Sequence, residues 1–483
     1  MEIELKLQIA EDDVEKIASS GLFGSDPDTL ELKATYFDTP ERQLRANGFS
    51  LRIRRENDQL VQTLKGTSRK AAGLFARPEW ERVVPSETLV IDSQTPLAML
   101  LGHDADSLTP VFRMSVKRRR WQFVDGEDAV ECALDVGEIL ASERRSPIHE
   151  MEMESKRGDL AVLFRLARQL DELAPVRLSV NSKAERGYLF LEAQAESFKA
   201  ESVELVPEMS AQSAFQAIIT ACLRHYRLNE ALLLDTRNPA ALHQARVALR
   251  RLRAALTIFK ALYADDDAEL IRRDLKWLAG LLGEGRDLDV LIKRNEAEAL
   301  RERLQTARDE AYDRIITALN GKRVRMMMID LVEWTSMGPW LTNEDTHEQR
   351  TKPAPIFAAQ PLKKFRKKVK KGGGKLDQLE EAERHEVRKD AKKLRYAAEF
   401  FAGLYTDKRQ RRRHGKFVAA LEALQDQLGA LNDLAAAPDL IQHLGLSDDP
   451  DAQALAGGTK KKKLIAAASE AHGDFADAKR FWE

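Results

Sequence analysis

The period of the hydrophobic pattern changes once along this 483-residue chain, and that change limits what the chain can become. Up to about residue 192, apolar residues recur at every second position in short segments. These are EIELKLQI (2–9), FSLRIRR (49–55), LVQTLKG (60–66), RPEWERVV (77–84), KRRRWQFV (117–124), AVECALDVGEI (129–139) and HEMEMES (149–155). Turn signals such as Asn57-Asp58 and Asp125-Gly126 punctuate them, and helical patterns intervene near 11–19 and 158–173. A period of two means half-buried strands, so a dominant antiparallel sheet with flanking helices is expected here. From about residue 210 the period is near 3.6, with amphipathic stretches at 211–234, 239–263, 266–282, 286–319, 323–335, 379–403, 410–430 and 460–482. The polar segment 193–209 reads as a linker, and the proline-bearing stretch 338–361 and KGGGK at 371–375 read as loops. The expectation is an α+β multidomain chain: a mainly β domain over 1–192 and an all-α domain over 210–483.

Charge is abundant and nearly cancels. Charged residues make up 32% of the chain, with 77 basic and 78 acidic side chains for a net charge of −1. Such a balance places the information in the local distribution of charge. The two cysteines, Cys132 and Cys222, exclude a disulfide framework and a cysteine zinc site, and they suit a reducing compartment. No apolar run approaches the ~20 residues of a membrane span. The first residues lack the basic-then-apolar order of a secretory signal, so a cytoplasmic location is expected.

Side chains two apart share one face of a strand. Glu2, Glu4 and Lys6 therefore share a face, as do Arg52 with Arg54, Glu79 with Glu81, Glu131 with Asp135, and Glu150 with Glu152 and Glu154. Rows of like charge on an exposed strand repel and gain nothing. A sheet curled into a barrel would gather these faces inside, acids towards one side and bases towards the other. Buried unpaired charge is costly, so that interior invites a polyanion with a divalent metal: carboxylates suit Mg²⁺ or Mn²⁺, and Arg and Lys suit phosphate oxygens.

Glu2-x-Glu4-x-Lys6, YFDTP, LRIR, a strand ending in Lys65, the Arg118–Trp121 strand, LDVGE, EMEME and SKAERGY (182–188) occur in the order found in the CYTH superfamily, which residues 1–190 resemble. These are triphosphate tunnel metalloenzymes, with an eight-stranded antiparallel barrel. The resemblance implies that Glu2, Glu4, Glu150, Glu152, Glu154 and Asp135 hold one or two divalent metals. It implies that Lys6, Arg52, Arg54, Lys65, Arg118, Lys183 and Arg186 grip triphosphate oxygens, and that water attacks a terminal phosphorus with metal assistance. Whether Arg118, Arg119 or Arg120 points inward stays open, because a slip of one residue reverses the strand. Family members act on inorganic triphosphate, thiamine triphosphate, RNA 5′ ends or, as cyclases, ATP. The scarcity of aromatic residues near the motifs favours the inorganic substrate.

The helical half repeats itself. HQARVALRRLRAALTIF (243–259) aligns with HEVRKDAKKLRYAAEFF (385–401) at an offset of 142 (385 − 243), and LLGEGRDLD (281–289) echoes QLGALNDLA (427–435) at an offset of 146 (427 − 281). Two pseudo-symmetric helical bundles are expected. His243, Arg246, Arg250 and Arg253 form a stripe on one helix, and His385, Arg388, Lys392 and Arg395 form its copy. Arg251 and Lys393 broaden the stripes, and no acidic residue is read as accompanying them. Such stripes suit a long polyanion. The helices resemble the CHAD domain over about residues 210–440. That resemblance implies inorganic polyphosphate as partner and association with polyphosphate granules, and the lack of paired aromatic platforms disfavours a nucleic acid. The basic runs 363–375, 409–416 and 460–463 extend the groove or are solvated. Beside the enzyme reading stand a non-catalytic granule-targeting protein and an enzyme of organic triphosphates.

Overall fold

The computed structural model describes residues 2–24, 26–66, 72–141, 143–456 and 461–483, so Lys460 of the last basic run lies outside the described residues. Contacts divide the chain into two units. One takes residues up to Glu196 together with Asn320–Met337, and the other takes Ser197–Leu319 with Gly338–Glu483.

The first unit is built on ten strands: β1 (Glu2–Ile9), β2 (Asp28–Asp38), β3 (Ser50–Glu56), β4 (Gln59–Lys65), β5 (Leu74–Arg77), β6 (Glu79–Val84), β7 (Thr109–Asp125), β8 (Asp128–Ala141), β9 (Arg144–Arg157) and β10 (Val176–Leu178). Nine of them pair antiparallel in the order β10-β1-β9-β8-β7-β2-β3-β4-β6, forming a curled sheet. β5 pairs with β1, and only Pro78, which has no N–H for a ladder, separates β5 from β6. Pairing therefore leaves β4 through β6 and returns to β1 through β5. The expected count of eight is reached by taking β5–β6 as one broken strand and β10 as a short annex to β1. Asn57, with φ 53°, and Gly126, with φ 61°, supply the left-handed residues of the tight β3–β4 and β7–β8 turns.

The two faces of the curled sheet have separate tasks. On the inner face, Leu30, Leu32, Ala34, Tyr36, Phe112, Met114, Val116, Ile139, Ala141 and Ile148 pack with Ala184 and Tyr188 of the helix Lys183–Leu191. That helix fills one end of the interior, and the remainder is charged. On the outer face Leu5, Leu7, Cys132, Leu134, Met151 and Met153 are fully buried, and the helix Ala161–Leu173 packs against β8, β9 and β10. The helix Lys322–Met337 packs in turn on Ala161–Leu173 and on β10. Its Arg325 donates to both oxygens of the buried Asp171 carboxylate, at 2.6 and 3.0 Å, while Asp171 also accepts from the Val176 N–H at 3.0 Å. Periodicity assigned 323–335 to the helical half, because an outward amphipathic helix reads the same whichever partner covers it.

The second unit is helical. Ala211–Thr236 packs on Pro239–Ile258, which packs on Asp266–Arg294; in the same order Ala354–Gly372 packs on Glu381–Phe400, which packs on Lys408–His443. Pro239–Ile258 and Glu381–Phe400, the two basic helices, touch each other and begin and end 142 positions apart. Lys408 likewise follows Asp266 by 142 (408 − 266), so the offset of 146 downstream reflects four extra residues inside Lys408–His443. Four residues are about one helical turn, which keeps the echoed motif on the same face. Phe259 joins the repeats: its ring lies 4.9 Å from those of Phe215 and Phe357 and 5.6 Å from that of Phe401.

Two expectations fail here. The break read between 282 and 286 is absent and falls inside 286–319 instead, since one helix runs Asp266–Arg294 and the next begins at Glu298. The loop read over 338–361 ends early, because the helix Ala354–Gly372 starts just after Pro353. Pro355 stands in the first turn, where an N–H is not needed, and burial of Phe357, Leu362, Phe365 and Val369 holds the helix together across Pro361.

Candidate functional site

The charged part of the barrel interior is a cavity of about 370 Å³, within the ~300–1,000 Å³ of small-molecule sites. Strand register explains its lining. Three adjacent strands carry the acids: Glu4 on β1 lies opposite Glu154 on β9, which lies opposite Glu131 on β8. One step along, Lys6 faces Glu152, and another step along, Asp135 faces both Glu150 and Arg118. β3 and β4 on the other side bring Arg52, Arg54 and Lys65. The register of β7 points Arg118 and Arg120 inward, whereas Arg119 is on the outer face with Glu15. Segregation of sign is incomplete, since Lys6 and Lys183 sit among the acids.

At the bottom of the cavity the charges satisfy one another. Arg118 holds Asp135 bidentately at 2.7 and 2.7 Å and reaches Glu152 at 2.6 Å. Lys183 contacts Asp135 at 2.7 Å, Glu152 at 2.9 Å and Glu150, and Lys6 contacts Glu152 and, at 3.2 Å, Glu4. Lys183 is held there by its helix, where Ser182 accepts from the Glu185 N–H and Glu185 accepts from the Ser182 N–H. Burial alone would neutralise these groups, but the opposite charges outweigh it: Lys6, Lys183 and Arg118 are held above their ordinary values, and Asp135 and Glu152 below theirs. Asp135, Glu150 and Glu152 bring oxygen atoms within 4.8 Å of one another.

Nearer the mouth the balance is looser. Burial, then the neighbouring Glu2 and Glu131, push the Glu154 carboxyl up, with Lys156 opposing. Glu2 pairs with Lys65 at 3.0 Å and Glu4 with Arg77 at 3.0 Å. Among the described lining residues nine are cationic and eight anionic, a near-neutral set.

In the second unit the two basic helices meet at a cluster of cations. Arg246 and Arg250 of the first and Arg388 of the second press on Lys392, whose ammonium is pushed down to about 7, by burial first and then by these neighbours. His243 is likewise pushed down to about 4 by burial and by Arg286, Arg250 and Arg246, so it stands there uncharged. Acids do accompany the stripes, contrary to the reading from single helices. Arg246 pairs with Asp287 at 3.2 Å, and Asp433 lies close enough to counter the repulsion on Lys392 and Arg388. His385 Nδ1 and Arg388 Nη1 share Asn432 Oδ1 at 2.9 and 3.0 Å. The stripes do not converge along their whole length. Arg253 borders Arg272, and Arg395 is engaged by Glu399 at 3.2 Å and Glu422 at 3.8 Å. Arg251 and Lys393 leave the stripes altogether: Arg251 is buried against Glu399 and the Phe400 ring, and Lys393 pairs with Asp390.

Compared with known proteins, residues 1–188 match the CYTH domain family and residues 217–442 match the CHAD domain family. The chain is a CYTH domain followed by a CHAD domain. Over 167 residues it is 35% identical to an inorganic triphosphatase of Haemophilus influenzae, an alignment covering 33% of this chain and 46% of that relative. The chain thus spans less than half the length of that relative. It is 26% identical over 440 residues, 82% of each chain, to an uncharacterised protein of Mycobacterium tuberculosis. The crystal structure of the CHAD domain from the plant Ricinus communis superposes with a TM-score of 0.50 at 29% identity, covering 59% of this chain and 97% of that one.

Most residues singled out in the CYTH sequence line its cavity. Glu150 and Arg186 do not: Glu150 is fully buried, held by Lys183 and, at 3.3 Å, by Arg186. Sequence reading missed Arg77, Lys156, Tyr36 and Thr63, which do line it, left Glu79, Glu81 and Glu131 out of the site although their faces were legible, and held Arg120 only as an alternative to Arg118, whereas both line it. Arg77 ends a strand of four residues, too short to display a period. In the CHAD domain, Asp287 and Asp433 stand at equivalent places of the echoed GRDL and LNDL motifs, and that repetition was the available signal. Among the described residues, no helix is long and apolar enough to cross a membrane.

Proposed function

We propose that the CYTH domain hydrolyses inorganic triphosphate with a divalent cation, and that the CHAD domain binds inorganic polyphosphate. The observation that carries the first part is the charge balance of the cavity. Nine cations against eight carboxylates leave about one positive charge, while a triphosphate brings about four to five negative ones. The protein alone does not offset that excess; one divalent cation offsets about half of it and two offset nearly all. The donor set fits them: oxygen ligands from neighbouring strands, with Glu154 held up by burial and by Glu2 and Glu131 against the pull of Lys156. Glu2, Glu4 and Glu154, with Asp135 and Glu152 below them, would hold Mg²⁺ or Mn²⁺, which supplies polarisation of phosphate oxygens and acidification of bound water. Glu150 serves instead to fix Lys183 and Arg186.

Arg52, Arg54 and Lys65 face the carboxylate strands across the cavity and would grip phosphate oxygens, with Lys6, Arg118 and Lys183 beside them as further cations. Water attacks the terminal phosphorus, the bridging P–O bond breaks, and these cations neutralise charge on the departing diphosphate. The lining favours an inorganic chain over a nucleotide or thiamine ester. Its one aromatic ring among the described residues, Tyr36, is stacked on Phe112 at 4.5 Å and only 3% exposed, which leaves little surface for a base. For the CHAD domain the supporting observation is the cation cluster that both repeats build.

The test is phosphate release by the full chain from triphosphate, ATP and thiamine triphosphate with each metal. Turnover of inorganic triphosphate with Mg²⁺ or Mn²⁺ is expected. It should fall at least ~100-fold in Glu4→Gln, with Glu2→Gln as a second variant that leaves Arg77 paired. No turnover of inorganic triphosphate with any divalent ion overturns the enzyme reading.

A further inference from the structure

The helix Ala354–Gly372 turns its apolar side inward and shows a different side to solvent. Lys363, Arg366, Lys367, Lys370 and Lys371 are spaced three and four apart, so they form one stripe along that outer side. Together with Arg480, brought in from the far end of the sequence, they line a concave pocket of about 330 Å³ in which every described lining residue is a cation. Surfaces usually mix signs, and this chain has acids to spare, yet none lines the pocket. Arg366 shows the strain of the arrangement. Its guanidinium is pushed down by burial and by Arg480, with only Glu483 opposing, and its Nε is buried without a hydrogen-bond partner. Its Nη2 is tied to the Ala476 and Ala478 carbonyls at 3.1 and 3.3 Å, which fixes the pocket's wall.

Helix electrostatics explain part of this and not the rest. Lys370 and Lys371, in the last turn, complement the negative end of the helix. Lys363 and Lys367 lie well before that turn and gain nothing from it. None of these residues belongs to the two histidine-headed stripes, and the helix meets Glu381–Phe400 through other side chains, with Lys368 near Asp390 at 3.8 Å and Phe365 under Lys393.

We infer that this pocket is a second phosphate-chain site of the CHAD domain, separate from the cluster of Arg246, Arg250, Arg388 and Lys392, so that a long polyphosphate engages the domain at two places. The choice of polyphosphate rests on the reading under Proposed function. The described lining consists of lysine and arginine side chains, their aliphatic stems as walls and their charged ends around them, with no ring on which a nucleic-acid base could stack.

The experiment titrates the full-length protein with long-chain polyphosphate, and with single-stranded RNA as a second probe, over a series of salt concentrations. Lys367→Glu with Lys371→Glu is expected to weaken long polyphosphate about tenfold and to lower the salt slope by about two, the contribution of two phosphate contacts. Lys367→Gln with Lys371→Gln should show a smaller shift in the same direction, and circular dichroism checks that both variants are folded. Arg250→Glu with Lys392→Glu tests the other cluster independently, so loss in that variant alone, with the 367/371 variants unchanged, overturns the second site and leaves the first reading standing. Loss of RNA binding without loss of polyphosphate binding overturns the assignment of the ligand.

Discussion

A lysine buried and pressed among arginines gives up its proton more readily than one in water, and Lys392 is pushed down to about 7 in this way. Its neighbours are Arg388, Arg250 and Arg246, with Asp433 opposing them. A bound phosphate chain would supply the missing negative charge and raise Lys392 again. Binding should therefore take up a proton at any pH between about 7 and the restored value. Polyphosphate affinity is expected to fall as pH rises from 7 to 9. Lys392→Arg, charged throughout, should remove the slope. Calorimetry in buffers of different ionisation enthalpy would read the proton directly, and a pH-independent affinity in the native protein would refute the coupling. At this scale the sequence was legible for which residues share a face and opaque for what stands opposite. The alternation in EMEME or RIR follows from backbone geometry. The inward turn of Arg118, by contrast, depends on the pairing of β7 with β8, and the closeness of Asp433 to Lys392 depends on helix packing.

Among the elements, the helix Lys183–Leu191 is the one whose exact seat matters most, because Lys183 at its start holds three carboxylates. Gly187 lets it sit so deep. A Cβ at that position would meet the Phe112 ring at 2.2 Å, and that ring is pinned by Tyr36 at 4.5 Å and Tyr188 at 5.4 Å. Helix propensity alone would make Gly187→Ala stabilising by up to ~1 kcal/mol. The clash should win, for a net loss of about 1–3 kcal/mol in chemical denaturation. A gain in stability would mean that the ring yields. Elements were mostly readable because periods of two and of 3.6 reflect burial on one side. The exception was the proline-bearing helix from Ala354, where local breaker signals lost to the burial of four large apolar side chains.

For the whole molecule, the first unit is not contiguous in sequence, since Asn320–Met337 completes it. The tie is Arg325, 9% exposed, on Asp171, 6% exposed. Arg325→Ala would leave a buried carboxylate without its partner and should cost about 3–5 kcal/mol. Arg168→Ala, at a pair with Asp330 and Glu333 whose arginine is 38% exposed, should cost under ~1 kcal/mol. Equal effects of the two, in thermal or urea melts, would contradict the ranking. Nothing in the amphipathic pattern of 323–335 announces this role, because a helix records that it is covered without recording by what.

That discontinuity also sets an order of events during synthesis. Residues up to Glu196 are made well before Asn320–Met337, so the outer side of the barrel must wait for its last helix while 123 intervening residues (319 − 196) are translated. At about 5–20 residues per second that interval is roughly 6–25 s. Throughout it Asp171, Glu172 and Arg168 of Ala161–Leu173 wait for the charged partners that Lys322–Met337 brings, so the flank of this helix is completed only when that segment arrives.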